Sequence, residues 1–144
     1  EDLRPGMLDD LGLAAAIEHH VEKFNGQTGI VCELFMNSMD FNIDDQVATT
    51  LFRVVQEALT NVARHSGADH AVVHLQELER DMLLIVQDSG RGLPAQGSGA
   101  RKTYGLLGMR ERVKMLGGKM DVFNEKGAGV RIEVCVPRHV KRVR

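Results

Sequence analysis

Between residues 47 and 65 the apolar positions return at helical spacing. Val47, Leu51, Val54, Val55, Ala58, Leu59 and Val62 form one stripe, with no Gly or Pro inside it. The pattern predicts a helix of about five turns. Residues advance by about 100° along a helix, so Glu57, Asn61 and Arg64 stack on one face at the border of the stripe. Thr49, Arg53, Gln56 and Thr60 take the side left for water. Taken alone, a row of carboxylate, amide and guanidinium is an ordinary solvated helix edge.

The flanking pattern predicts the other elements. Leu3-Arg4-Pro5-Gly6 reads as a turn. Asp9 or Asp10 then caps a helix through about residue 25, with Leu11, Ala14, Ala15, Ile17 and Val21 apolar and with Gly26 and Gly29 ending it. Residues 30–37 read as a strand, and 42–45 supply an acidic first turn to the long helix, which Ser66-Gly67 closes. Residues 70–78 and 82–88 form a hairpin across Glu79-Arg80-Asp81. The unbroken run Leu83-Leu84-Ile85-Val86 suits a central strand. Residues 88–103 are rich in Gly, Ser and Pro and read as loop. A helix over 104–116, capped by Gly117-Gly118, leads to a second hairpin of 119–124 and 130–136. Pro137 stops the sheet and the basic tail 138–144 is expected to fray. Hairpins supply antiparallel pairs, and three helices must cover an apolar sheet. The fold class is therefore α+β, a two-layer sandwich of three helices on one face of a mixed, mostly antiparallel sheet of about five strands.

Composition narrows the classes. The chain has 144 residues, 43% of them hydrophobic, which suits one domain with a sizeable core. The net charge of −2 gives no electrostatic reason to expect nucleic acid or an anionic membrane, and Trp is absent. Cys32 and Cys135 each sit in a strand-like apolar run and read as buried free thiols, with a disulfide left open. There is no signal peptide and no apolar run of membrane-spanning length. The chain opens at Glu1 without an initiator Met, so it reads as a fragment of a longer protein that can carry an anchor upstream.

Two further segments carry candidate chemistry. Asp88-Ser89-Gly90-Arg91-Gly92 follows the most apolar strand. Its glycines let a flat ligand approach the backbone, and its carboxylate can accept a hydrogen bond from an exocyclic amine such as that of adenine. An ordinary Asp/Gly turn has the same composition. Tyr104-Gly105-Leu106-Leu107-Gly108-Met109 lies where a loop is expected to feed a helix. Free amides and the dipole suit phosphate there, although the Gly-Lys-Ser/Thr ending of a Walker loop is missing.

Together the segments resemble a known family. Glu57-Ala-Leu-Thr-Asn61-Val-Ala-Arg64-His65 looks like the N box of sensor histidine kinases. Asp88-Ser-Gly90-Arg-Gly92 resembles their first glycine box, and Gly105-Leu106-Leu-Gly108-Met109 their second. Leu3-Arg-Pro-Gly-Met-Leu-Asp-Asp-Leu-Gly-Leu13 is similar to the segment that joins the dimerisation helices to the catalytic domain, and Arg110-Glu-Arg-Val-Lys-Met-Leu-Gly-Gly118 also fits. The wording is that of the nitrate-sensor-like and lipid-sensor-like subfamily. The resemblance implies the Bergerat ATP-binding fold, with residues 1–8 as the end of a linker, 9–137 as the catalytic domain and 138–144 as a tail.

It also implies roles. Asn61 would hold Mg²⁺ against the phosphates of ATP, and Glu57 would orient or deprotonate the attacking group. Arg64 and His65 would lie near the phosphates. Asp88 would read the adenine amine, with clearance from Gly90 and Gly92. Tyr104, Gly105, Leu106, Gly108 and Met109 would line the phosphate side, below a short lid at 96–103 from which Arg101 or Lys102 meets the γ-phosphate. The implied partners are ATP or ADP, the protein's own dimerisation and phosphoacceptor domain, and indirectly a response regulator. The isolated domain is expected as a monomer, cytoplasmic, from a homodimeric parent that can be anchored in the inner membrane. The family's acceptor histidine precedes the Leu-Arg-Pro segment, so His19 and His20 read as helix surface or packing residues, and His70, His74 and His139 as strand or tail residues. The family often closes on Gly-x-Gly-Thr, whereas this chain has Gly127-Ala128-Gly129-Val130. A valine side chain offers no hydrogen bond, which implies fewer or water-mediated base contacts. An ATP hydrolase of the gyrase or mismatch-repair type, or a non-catalytic interaction module on the same fold, are the alternatives.

Overall fold

The structure is a computed structural model whose description covers residues 6–90, 99–125 and 129–140; for residues 65, 66, 99–104 and 125 it covers the backbone alone. The elements run α1 (Gly6–Thr28), β1 (Val31–Met36), α2 (Asp45–Asn61), a π-helical turn (Val62–Ser66), β2 (His70–Glu77), β3 (Asp81–Asp88), α3 (Gly99–Met115), β4 (Lys119–Glu125) and β5 (Gly129–Pro137). The five strands form one sheet in the order β1-β2-β3-β5-β4. β1 pairs with β2 in parallel and every other pair is antiparallel. The expected two-layer α+β sandwich is the observed one, and the apolar run at 83–86 lies in its middle strand.

Strand parity sorts the sheet's faces. Cys32, Ala71, Val73, Leu75, Met82, Leu84, Val86, Ile132, Val134 and Val136 point to the helical layer and are buried. The intervening positions face away from it, and Cys135 is among them. The strand period that buries Cys32 therefore exposes Cys135, against the expectation of two buried thiols; both are free. Burial, and then the neighbouring Glu33 carboxylate, push the Cys32 thiol up to about 11.

α2 is the hub of the helical layer. Val47, Ala48, Leu51, Phe52, Val54, Val55, Ala58 and Leu59 are all buried. So is Thr50, while Thr49, Arg53, Gln56 and Thr60 are only partly exposed. α3 and α1 both pack on α2, and Thr49 faces α3, tertiary contacts that helical periodicity does not announce. α1 breaks at Gly12 (φ 87°, ψ 174°), so a short helical piece precedes the main one. Gly26 lies inside α1 and Gly29 (φ 75°) terminates it. Asn25 then ties the helix end to β1, accepting from Cys32 N–H at 2.9 Å and donating to its carbonyl at 3.3 Å. His20 meets the edge of Phe52 (centroids 5.8 Å apart), a packing role as expected.

The start of the C-terminal tail is held rather than frayed. Arg138 donates to Glu79 O at 2.6 Å and Asn42 O at 3.1 Å and pairs with the Glu77 carboxylate at 3.2 Å. Asp44, at the N-cap of α2, accepts from Val140 N–H at 2.7 Å and meets His139 Nδ1 at 2.9 Å. A basic run looks unstructured in sequence because its acidic partners are far along the chain, Asp44 96 positions from Val140 and Glu77 well separated from Arg138.

Candidate functional site

Asp88 is the last residue of β3 and shares the inward parity of Met82, Leu84 and Val86. That parity carries a carboxylate into the core edge, where it is only 5% exposed. A buried carboxylate needs hydrogen-bond donors. Its Oδ1 accepts from Gly90 N–H at 2.7 Å and Val130 N–H at 3.4 Å, while Oδ2 takes no hydrogen bond from any described residue. The adjoining turn is fixed by Ser89 N–H donating to His70 O at 3.1 Å.

Asn61 closes α2 and is 8% exposed, with Nδ2 lacking a partner among the described residues. A buried polar group left unsatisfied costs about 1–3 kcal/mol, so such a group in a folded protein calls for a reason. A π-helical turn follows at Val62–Ser66, ended by Gly67 at φ 65°. Its wider winding breaks the 3.6-residue period. Arg64 consequently sits exposed on the turn instead of continuing the inward row begun by Glu57 and Asn61. One turn before Asn61, the Glu57 carboxylate lies on the backbone of Gly105: a Cβ there would stand 2.8 Å from Oε1 and closer still to Oε2.

Topology gathers these groups at one end of the sandwich. α2 and its π-turn lead directly into β2, whose Ala71 is paired with Asp88, and β5 begins at the same end with Gly129 and Val130. Gly105 brings α3 there through Glu57.

The second glycine segment is placed differently from expectation. α3 begins at Gly99, so 99–103 of the expected lid are helical and 96–98 lie outside the described residues. Gly105 and Gly108 are interior to α3. Interior helical amides are bonded to carbonyls four residues back, and only the first turn leaves them free. Leu106 is core, Met109 is partly buried against it, and Gly108 lines a groove of about 630 Å³ between α2 and α3 with Asp45, Thr49, Arg112 and Met115. None of Glu57, Asn61 or Asp88 lines that groove, which helical periodicity does not announce. Gly92 and the side chains of His65, Arg101, Lys102 and Tyr104 fall outside the described residues.

Residues 46–140 match the family described as histidine kinase-, DNA gyrase B- and HSP90-like ATPases. The chain belongs to this ATPase family. It is 34% identical over 136 residues to the signal transduction histidine-protein kinase/phosphatase DegS of Brevibacillus brevis, covering 94% of this chain and 35% of that protein. It is also 34% identical over 137 residues to the histidine-protein kinase/phosphatase UhpB of Salmonella typhimurium, covering 94% of this chain and 27% of that protein. The chain thus spans about a third of the length of the curated relatives it matches. The catalytic domain of the histidine kinase ThkA shares the fold at a TM-score of 0.68 and 17% identity, over 90% of this chain and 93% of that one. The histidine kinase domain of an Erythrobacter litoralis blue-light activated kinase does so at 0.65 and 23%, over 88% and 61%.

For a member of this ATPase family, the groups missed in the sequence are main-chain ones. Val130 offers nothing to a base through its side chain, yet its N–H is one of the two donors that hold Asp88. Residue types cannot reveal a backbone donor; only the β3–β5 pairing brings it into reach.

Proposed function

We propose that this chain is the ATP-binding catalytic domain of a sensor histidine kinase, which presents the γ-phosphoryl of Mg·ATP to a histidine on the parent's dimerisation domain for onward transfer to a response-regulator aspartate. The observation that carries the reading is the pairing, at one end of the sandwich, of a buried carboxylate whose Oδ2 takes no hydrogen bond from the described residues (Asp88) and a buried amide whose Nδ2 has no partner among them (Asn61). The first suits an exocyclic amine and the second a triphosphate with its cation.

The donor set fits Mg²⁺. Among the described residues no group of three His, Cys, Asp or Glu can enclose a metal ion. Mg²⁺ needs none, since it keeps waters and takes one or two protein oxygens beside the phosphates. Asn61 would supply an amide oxygen and, when bound, the ion would neutralise charge on the phosphoryl oxygens. Glu57, one helical turn earlier, would orient the incoming nucleophile or accept its proton. In this conformation its carboxylate rests on Gly105, so α3 has to draw back from its N-terminal side before Glu57 and the amides of Gly105 and Gly108 serve phosphates. The domain's contribution is positioning and charge neutralisation, the main demands of phosphoryl transfer.

Incubation with γ-labelled ATP tests the division of labour. The chain should bind Mg·ATP, accept no label itself, and label a separately supplied dimerisation domain from its parent. Label retained on a histidine of this chain would refute the reading.

A further inference from the structure

β5 starts unusually close to Asp88. Gly129 has φ 88°, a backbone conformation open to glycine and strained for other residues. A Cβ at that position would stand 2.7 Å from Asp88 Oδ1 and 3.0 Å from its carbonyl carbon, and would strike its carbonyl oxygen. Real Cβ atoms do not approach so closely, so the backbone of Gly129 lies flat against both the main chain and the carboxylate of Asp88. The next amide, Val130 N–H, reaches the same Oδ1 that Gly90 N–H holds at 2.7 Å.

We propose that Gly129 and the Val130 amide are positioning elements for Asp88. By fixing Oδ1 from the β5 side they orient Oδ2 as the one acceptor offered to the base. This rests on the nucleotide-site reading above and extends it. The two amides set the rotation of the carboxylate about its Cβ–Cγ bond, because both donate to one oxygen and the glycine closes off the space into which it would turn. An oxygen held in this way needs no further ordering when the base arrives, and that preorganisation improves discrimination. The threonine-to-valine departure then has a physical reading. The side-chain hydroxyl is absent, and recognition of the 6-amino group falls on Asp88 alone, aimed by a main-chain donor. Guanine, which carries a carbonyl at that ring position, would set oxygen against Oδ2.

Calorimetric titration of the 144-residue chain with Mg·ATP and with the Mg²⁺ complex of purine riboside triphosphate, which lacks the 6-amino group, tests this. The unsubstituted chain should favour ATP by roughly 10–100-fold, the range of one charge-assisted hydrogen bond. In Gly129→Ala the ratio should fall towards one, while affinity for the purine triphosphate changes little. Combined with Asp88→Asn, the substitution should cause no further change in the ratio, since it acts through Asp88. Should Gly129→Ala not fold, a backbone ester at position 130, which removes only the N–H, should lower the same ratio severalfold. A folded Gly129→Ala chain, or the ester, with the full preference for ATP would overturn the positioning role. Failure of the unsubstituted chain to bind either triphosphate would instead overturn the nucleotide-site reading beneath it.

Discussion

The two halves of the proposed cleft differ in how finished they are. At the Asp88 end the carboxylate is buried, two backbone amides hold Oδ1, and Gly129 seals the space beside it. At the Glu57–Asn61 end the buried Asn61 Nδ2 lacks a partner among the described residues, Glu57 leans on a helix, and both glycines proposed for phosphate sit inside that helix. A preformed pocket binds without reorganisation, whereas an incomplete one makes the ligand supply the missing contacts. On the proposed reading, base recognition would belong to the sheet and phosphate handling to a helical element that has to rearrange.

The largest effect should follow from breaking the finished end. Asp88→Asn presents an NH₂ where the base amine needs an acceptor, so ATP affinity should fall about 100-fold or more by calorimetry. At the unfinished end, Asn61→Leu separates function from stability. It should abolish the strengthening of ATP binding by Mg²⁺, about tenfold, yet stabilise the ligand-free chain by about 1 kcal/mol because an unsatisfied buried amide is gone. A rise in Tm of about 3 °C would show the second effect.

A smaller effect probes α3 itself. A Cβ at Gly108 meets nothing within 4 Å, so Gly108→Ala is sterically free and simply favours the helix by about 1 kcal/mol. If α3 must open there for phosphate, ATP affinity should fall about fivefold while adenosine affinity holds. Equal losses for both ligands would place the opening elsewhere.

The smallest effect lies far from the cleft and checks that the scaffold is silent. Burial against α2, then Lys23 and His19, lowers the His20 pKa below its usual 6.5. The unfolded chain binds the extra proton first, so this contribution to stability is complete above about pH 6.5 and is lost as pH falls through the lowered folded value. Thermal melts of His20→Gln should show a shallower loss of Tm on acidification, with unchanged ATP affinity at pH 7.5.

How much was legible follows the range of the interactions. The α2 stripe, the middle strand and the Gly117-Gly118 stop are written in local periodicity and turn chemistry, and they appear where expected. Asp88 is legible in the sequence as a carboxylate at a strand end, and Asn61 as an amide on one helix face with Glu57. Their burial is not, because it depends on strand parity and on where α2 lands. The sequence places the start of α3 too late because Gly99 and Ala100 look like loop in composition, while the helix begins there and meets Glu57 further on, at Gly105. The anchoring of Arg138 to Glu77 and of Val140 to Asp44 needed long-range pairing. The Val130 amide was invisible for the same reason, since its side chain argued for a lost contact.

The most direct measurement is amide NMR of the labelled chain, titrated first with adenosine and then with Mg²⁺ and a non-hydrolysable ATP analogue. The account predicts that adenosine alone shifts Gly90, Gly129 and Val130, and that Gly105, Gly108 and the Asn61 side-chain amide respond only when the triphosphate and Mg²⁺ are added. Shifts confined to the groove of Asp45, Thr49 and Arg112, or no response at Gly90 and Val130 to either ligand, would contradict it.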